Sequence, residues 1–205
     1  MKQTALALTL IALLVGPALA QSQPAATPQR VRGTVEKLDG QTLMVKTRQG
    51  PVATIALTPN FTVNGVVKKA LADIKNGDYI GVGSVRGMDG KLHALEVHIF
   101  PEAMRGTAEG QFPWDLQPGP GSQMTNAAVS GIASAPAGQM LTLTYKGGQS
   151  EIVVGPEAAI VTFQPADASL LKPGATVFMV AQRQADGRLT ASRITAEKDG
   201  VKPPM

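Results

Sequence analysis

The strongest constraint on this chain is that it nearly repeats itself. Turn residues and apolar positions of 31–100 recur in 128–197 in the same order. Gly33 corresponds to Gly131, Gly40-Gln41 to Gly138-Gln139, Leu43 and Val45 to Leu141 and Leu143, and Pro59 to Pro156. Further on, residues 71–77 correspond to 168–174, Asp89-Gly90 to Asp186-Gly187, and Val97 to Ile194. The offset is 98 early in the unit and 97 later, so one residue is lost near Pro51. Turns and core positions agree together, which is the mark of a duplicated unit. Each unit is short, so each core must be small.

The unit itself alternates with a period of two. Val31, Gly33 and Val35 are interleaved with polar residues, and Asp39-Gly40 is a hairpin signal because glycine tolerates positive φ. Leu43, Val45 and Thr47 then share one face, as do Ala53, Ile55 and Leu57. Pro59-Asn60 is expected to end that third strand. Residues 68–75, KKALADIK, predict one helical turn stopped by Asn76-Gly77. Two further strands follow, 79–85 and 92–100, with Leu95, Val97 and Ile99 expected inward. Glycines 81 and 83 suggest a wall that bends sharply. Five strands with a short helix between the third and fourth is the order of an OB-type barrel. The expected fold is all-β: two small five-stranded OB-like barrels in tandem, at 31–100 and 128–197, each with one short helix.

The runs RGTVEKLDGQTLMVKT and LADIKNGDYIGVGSVRGMDGKLHALEV resemble a bacterial family of exported OB-like domains of unknown function, here as a tandem repeat. The shared pattern is a Gly-Thr-Val opening, a hairpin glycine, a Leu-x-x-Ile-Lys-x-Gly step and an Asp-Gly turn before the fifth strand. The resemblance covers both units, the second more loosely. It implies fold and export, and carries over no catalytic residue.

Export is also read from the start of the chain. Lys2, the apolar run 5–15 and Ala18-Leu19-Ala20 form a signal-peptide pattern with cleavage expected after Ala20. That places the protein in a periplasm. Residues 21–30 have no periodicity and two prolines, and are expected to be a disordered lead-in. Residues 198–205 are likewise expected to be a flexible tail. There is no cysteine, which removes disulfides, thiolate metal sites and cysteine nucleophiles.

Charge argues against a nucleic-acid face. Only 17% of residues are charged, and cleavage would lower the net charge from +4 to +3. Nine basic and six acidic residues fall in 31–100, and five of each in 128–197. Nucleic-acid binding asks for clustered Lys and Arg. The second and third strands, where OB barrels stack bases, carry no aromatic in the first unit. Lys46 and Arg48 are the phosphate-contact candidates there.

The polar positions do not repeat. His93 corresponds to Thr190, Glu96 to Arg193 and His98 to Thr195. A site therefore belongs to one unit or to the seam between them. His98 and Glu96 lie on one strand face, with His93 on the other, and Glu102 follows closely. These three, His98, Glu96 and Glu102, are the candidate ligands for a divalent ion. The ordered connecting segment 101–127 holds the only tryptophan, in Phe112-Pro113-Trp114-Asp115-Leu116. Trp114, Phe112 and Arg105 are contact candidates, either as a ligand platform or as a clasp filling the groove between barrels. No nucleophile stands beside a histidine, and no glycine run has phosphate-binding context. The expectation is a non-enzymatic binding or adaptor protein without a cofactor. Its partner is an envelope protein or polymer. A divalent-metal protein is the first alternative, and oligosaccharide or single-strand binding on an OB face the second.

Overall fold

Why these strands assemble as they do is decided by the third one. In the computed structural model, which describes residues 26–203, β1 (Thr27–Asp39) and β2 (Thr42–Thr47) form the expected hairpin, with Gly40 at φ 56°. β3 (Val52–Lys68) pairs with β2 and then does not stop at Pro59-Asn60. Residues 58–61 instead bulge opposite Ser192, between the pairs Leu57–Ala191 and Thr62–Arg193. A bulge accommodates a proline that has no N–H to give. The strand is thus bent rather than ended. At about 3.3 Å per residue, its 17 residues outrun one small barrel.

The overrun carries the chain across the molecule. Residues 63–68 pair antiparallel with β10 (Ala159–Ala166), placing Val66 opposite Phe163. These two residues are 97 apart, the offset of the sequence repeat. β4 (Tyr79–Arg86) and β5 (Leu92–Ile99) then join β7 (Ser122–Ala135), β8 (Gly138–Tyr145) and β9 (Gly148–Val154). β11 (Thr176–Arg183) and β12 (Leu189–Ala196) return to the start of the chain.

The first ring is a closed five-stranded barrel, β1–β2–β3–β12–β11 and back to β1. The second ring runs β4–β7–β8–β9–β5, rejoined to β4, with a short parallel contact of Leu92 and His93 on Ile152 and Val153. Each ring has its own core. Leu43, Val45, Ile55, Met179 and Ile194 are buried in one, and Ile80, Val97, Leu141, Leu143 and Ile152 in the other. Each ring therefore draws strands from both 31–100 and 128–197. The expectation that each segment closes on itself does not describe these pairings. A third cluster, Val66, Val161 and Phe163 with Phe100, Met104 and Val201, sits where the rings meet.

The turns after the crossing strands close the rings. The expected helix over 68–75 is a single 3-10 turn, Leu71–Asp73, started by Ala70 N–H on Asp73 Oδ2 at 2.8 Å. It leads Ile74 into the second core. The matching turn Ala168–Leu170 is capped by Asp167 and leads Leu171 into the first.

Other expectations shift. Gln29 and Arg30, expected in a disordered lead-in, pair with β11 as part of β1. Residues 1–25, with the expected signal peptide, lie outside the described residues. Within the expected tail, Lys198 pairs with Val201 and Pro203 is buried, and residues 204–205 lie outside the described residues. The equivalence of Gly33 with Gly131 is also displaced. Val35 exchanges backbone hydrogen bonds with Gly174 and Ala175, and Val129 does so with Gly77 and Asp78, so Val35 answers to Val129. The β7–β8 hairpin is longer, which absorbs the difference. Among the described residues no helix is long and apolar enough to cross a membrane.

Candidate functional site: a cavity at the seam

The site begins with a bulge in β5. Ser84 pairs with Ala94 and Gly83 with Glu96, leaving Leu95 unpaired. The bulge resets the alternation, so Leu92, Ala94 and Val97 enter the core while Leu95, expected inward, is 38% exposed. Glu96 and His98 then project from the outer face of the ring.

The neighbouring strand leaves room beside them. Ile80 and Val82 of β4 fill the core, so Gly81 and Gly83 face outward. They form a trough without side chains. A Cβ on Gly83 would stand 2.6 Å from the Trp114 indole, and one on Gly81 would stand 3.0 Å from the Phe100 ring. These glycines leave room for Trp114, Phe100 and the Asn126 side chain to lie close against the strand. β7 lines the far side, with Met124 across from Gly83 and Asn126 across from Gly81.

The connecting segment is drawn over this trough. Its strand β6 (Gly110–Pro113) pairs with β7, Phe112 facing Met124. Trp114 is buried, and Asp115 reaches the other ring, where Arg32 Nη1 and Nη2 donate to its two oxygens at 2.9 and 3.2 Å. The Arg32 guanidinium also lies 5.0 Å above the Phe178 ring of β11. One residue thus packs on the second ring while the next is held by the first.

Between the rings and under this segment lies a cavity of 440 Å³. Its second-ring wall carries Glu96, His98, Phe100, Met124 and Asn126, and its first-ring wall carries Arg30, Arg32, Phe178, Val180, Arg193 and Thr195. Phe112 and Trp114 of the segment and Phe163 at the crossing complete it. Glu96 and His98 are each only 3% exposed. Their Oε1 and Nε2 atoms lie 3.3 Å apart, yet neither atom has a hydrogen-bond partner among the described residues. The His98 ring stands edge-on to Phe163 at 5.7 Å. Leaving a buried polar atom unpaired costs about 1–3 kcal/mol, so this pair is incomplete as it stands.

The other candidates separate from it. Glu102, the third expected metal ligand, is exposed and bonded to Arg105 at 2.6 and 2.7 Å, and this guanidinium holds its carboxyl below the usual range. Among the described residues no group of three or more His, Asp or Glu is placed to hold a metal. Arg105 also donates to Gly77 O, tying the segment to the turn before β4, and does not line the cavity. Lys46 on β2 and Arg48 in the turn after it are exposed and do not line the cavity. His93 reaches the outer face through the bulge but binds Asp89 at 3.0 Å. Arg30, Arg32, Phe178, Arg193 and Thr195 line the cavity without being candidates by sequence pattern. For two of them a signal was available: Arg193 and Thr195 are the repeat partners of Glu96 and His98.

A larger groove of 790 Å³ runs past Pro51, Arg183 and Arg188 at one end of the first barrel. None of the buried unpaired side-chain atoms belongs to a residue lining it. Comparison with protein-family models, with curated proteins and with solved structures finds no match for this chain.

Proposed function

We propose that this is an exported, non-enzymatic binding protein whose ligand occupies the seam cavity. One observation carries the reading: two ionisable side chains, nine-tenths buried and with unpaired polar atoms, line a cavity that also carries five aromatic rings, methionines and three arginines. A concave apolar pocket with a few convergent polar groups is the usual form of a small-molecule site. In this reading an OB-like unit was duplicated and its two copies exchange strands to form the two rings, with cores kept alike and outer faces made different. The signal-peptide pattern supports a periplasmic setting.

The sole tryptophan lies on the cavity wall, so the protein reports on itself. Titration of the full chain with anilinonaphthalene sulfonate should give saturable energy transfer from Trp114 to the dye. Val180→Phe, which adds a ring at an exposed position of the wall, should weaken it. Dye binding without quenching of Trp114, or binding indifferent to Val180→Phe, would overturn the reading. A divalent ion is the competing occupant, because Glu96 Oε1 and His98 Nε2 are an oxygen and a nitrogen donor facing each other. Zinc that raises the melting temperature of the wild type, but not of His98→Gln, would favour it.

A further inference from the structure

The two walls of the cavity occupy matching places in the two rings. Gly81 and Gly83 of β4 answer to Phe178 and Val180 of β11, and Glu96 and His98 of β5 to Arg193 and Thr195 of β12, each at an offset of 97. Across the ladder, Gly83 faces Met124 and Gly81 faces Asn126, while Val180 faces Arg30 and Phe178 faces Arg32. The seam thus sets two like surfaces face to face, and their chemistry is opposed. One presents a carboxylate and an imidazole, the other three guanidiniums.

The charges do not cancel. Arg32 gives Nη1 and Nη2 to Asp115, and its buried Nε is left without a partner among the described residues. Arg30 reaches that same carboxylate only at 3.9 Å and is half exposed. Arg193 makes no side-chain hydrogen bond or ion pair among the described residues. Among the described residues lining the cavity, the carboxylates set against three guanidiniums are Asp115 and Glu96, so basic groups are in excess. The excess sits on the Arg30 and Arg193 side, and the unpaired acceptor, Glu96 Oε1, on the opposite wall. Between them are Phe100, Trp114, Phe163 and Phe178.

Resting on the cavity reading above, we propose the class of ligand: a small planar aromatic acid bearing a hydroxyl or N–H donor. Its ring lies among the aromatic side chains. Its anionic group is held at the mouth by Arg193 and Arg30, and its donor points to Glu96 Oε1 with His98 beside it. A guanidinium matches a carboxylate or sulfonate through paired N–H bonds. A donor from the ligand supplies the bond the buried carboxylate lacks. A site built this way rejects an analogue missing the polar group, because its own buried atom is then left unpaired.

The test is displacement of anilinonaphthalene sulfonate from the full-length chain by three related compounds. 4-Hydroxycinnamate should compete best. Its methyl ester, without the charge, and 4-methoxycinnamate, without the donor, should each be about tenfold weaker. Arg193→Gln should abolish the preference for acid over ester and spare the preference for hydroxyl over methoxy. Glu96→Met, which keeps the side chain's length and removes the acceptor oxygens, should do the reverse. Because Arg193 is exposed, its variant should keep the wild-type melting temperature. If the dye binds beside Trp114 but all three compounds compete equally in every variant, the ligand class is wrong and the cavity reading stands. If no energy transfer from Trp114 occurs, both fall.

Discussion

The outer faces of β4 and β11 occupy the same place in the two rings and are finished in opposite ways. β11 covers itself: Phe178 and Val180 project outward, and Arg32 lies over the phenyl ring. β4 has glycine at both positions and borrows its cover from Phe100 and Trp114. A face covered by its own strand is complete as soon as that strand pairs. A face covered by a distant segment is complete only when the segment closes over it. The outer face of the second ring therefore depends on the connecting segment, and the buried unpaired Glu96 Oε1 and His98 Nε2 lie on that side.

If the rings are equal inside and unequal outside, equivalent core truncations should cost the same. Leu43→Ala and Leu141→Ala each remove a side chain with no exposure. Each should lower stability by about 3–4 kcal/mol, in the usual range for a buried leucine. Because each ring takes strands from both halves of the chain, denaturant unfolding should remain a single transition in both variants. Two transitions, with only one moved by each substitution, would mean that the rings are independent, and the comparison would fail.

The next test exchanges the outer faces. Gly83→Val gives β4 the residue that β11 has at that place. Its Cβ would come within 2.6 Å of the Trp114 ring, which must move away. Overpacking of this kind costs about 1–3 kcal/mol. The visible sign is a red shift of the tryptophan emission as Trp114 meets water. The reverse change, Val180→Gly, removes an exposed side chain and should cost less, about 1 kcal/mol. Equal costs, with unshifted emission, would show that Trp114 is not what the glycine makes room for.

Smaller still is the tie between the rings. Arg32 is nearly covered and Asp115 is 43% exposed, so their bidentate pair is partly screened. A double-mutant cycle of Arg32→Met and Asp115→Asn should give a coupling of about 1 kcal/mol. Raising the salt concentration should reduce it. Coupling indistinguishable from zero would leave Trp114 packing alone to hold the segment.

Much of this was legible from composition and pattern. The alternation in 42–47 and 52–57, the hairpin at Asp39-Gly40 and the turn at Gly77 all follow from local chemistry. The all-β class and the five-stranded barrel follow with them. The crossing of β3 was not legible, because Pro59 reads as a stop wherever a strand is judged alone. Only the partner strand, with Ser192 facing a four-residue bulge, lets the proline stay inside. The bulge at Leu95 escaped for the same reason: apolar residues at 95, 97 and 99 fit an unbroken period of two. At the site, Glu96, His98, Phe112 and Trp114 were legible as candidates and do line one cavity. Their opposite wall was hidden, since sequence alone cannot say that residues 97 apart face each other across a seam. Glu102 fits metal chemistry by type, but a guanidinium three residues away claims it first.

The finest test lies in a single hydroxyl, where the rings again differ. Tyr79 opens β4, and Thr176 stands at its place in β11. Tyr79 is 4% exposed and donates its hydroxyl hydrogen to Thr107 O at 3.0 Å, helping to hold the connecting segment. Burial, and then the Glu109 carboxylate, push its pKa above the usual 10.0, while Arg105 acts in the other direction. A phenol with a raised folded-state pKa favours the native state only while it stays protonated. Its contribution is complete below pH 10 and fades as the pH climbs through the raised value. Tyr79→Phe should lose about 1 kcal/mol at neutral pH with the hydrogen bond, and should flatten the alkaline fall in stability. Thr176→Val, with nothing to titrate, should leave that fall unchanged. Urea denaturation on either side of pH 10 measures both. If the alkaline slope of Tyr79→Phe matched that of the wild type, the phenol would have no part in holding the segment over β4.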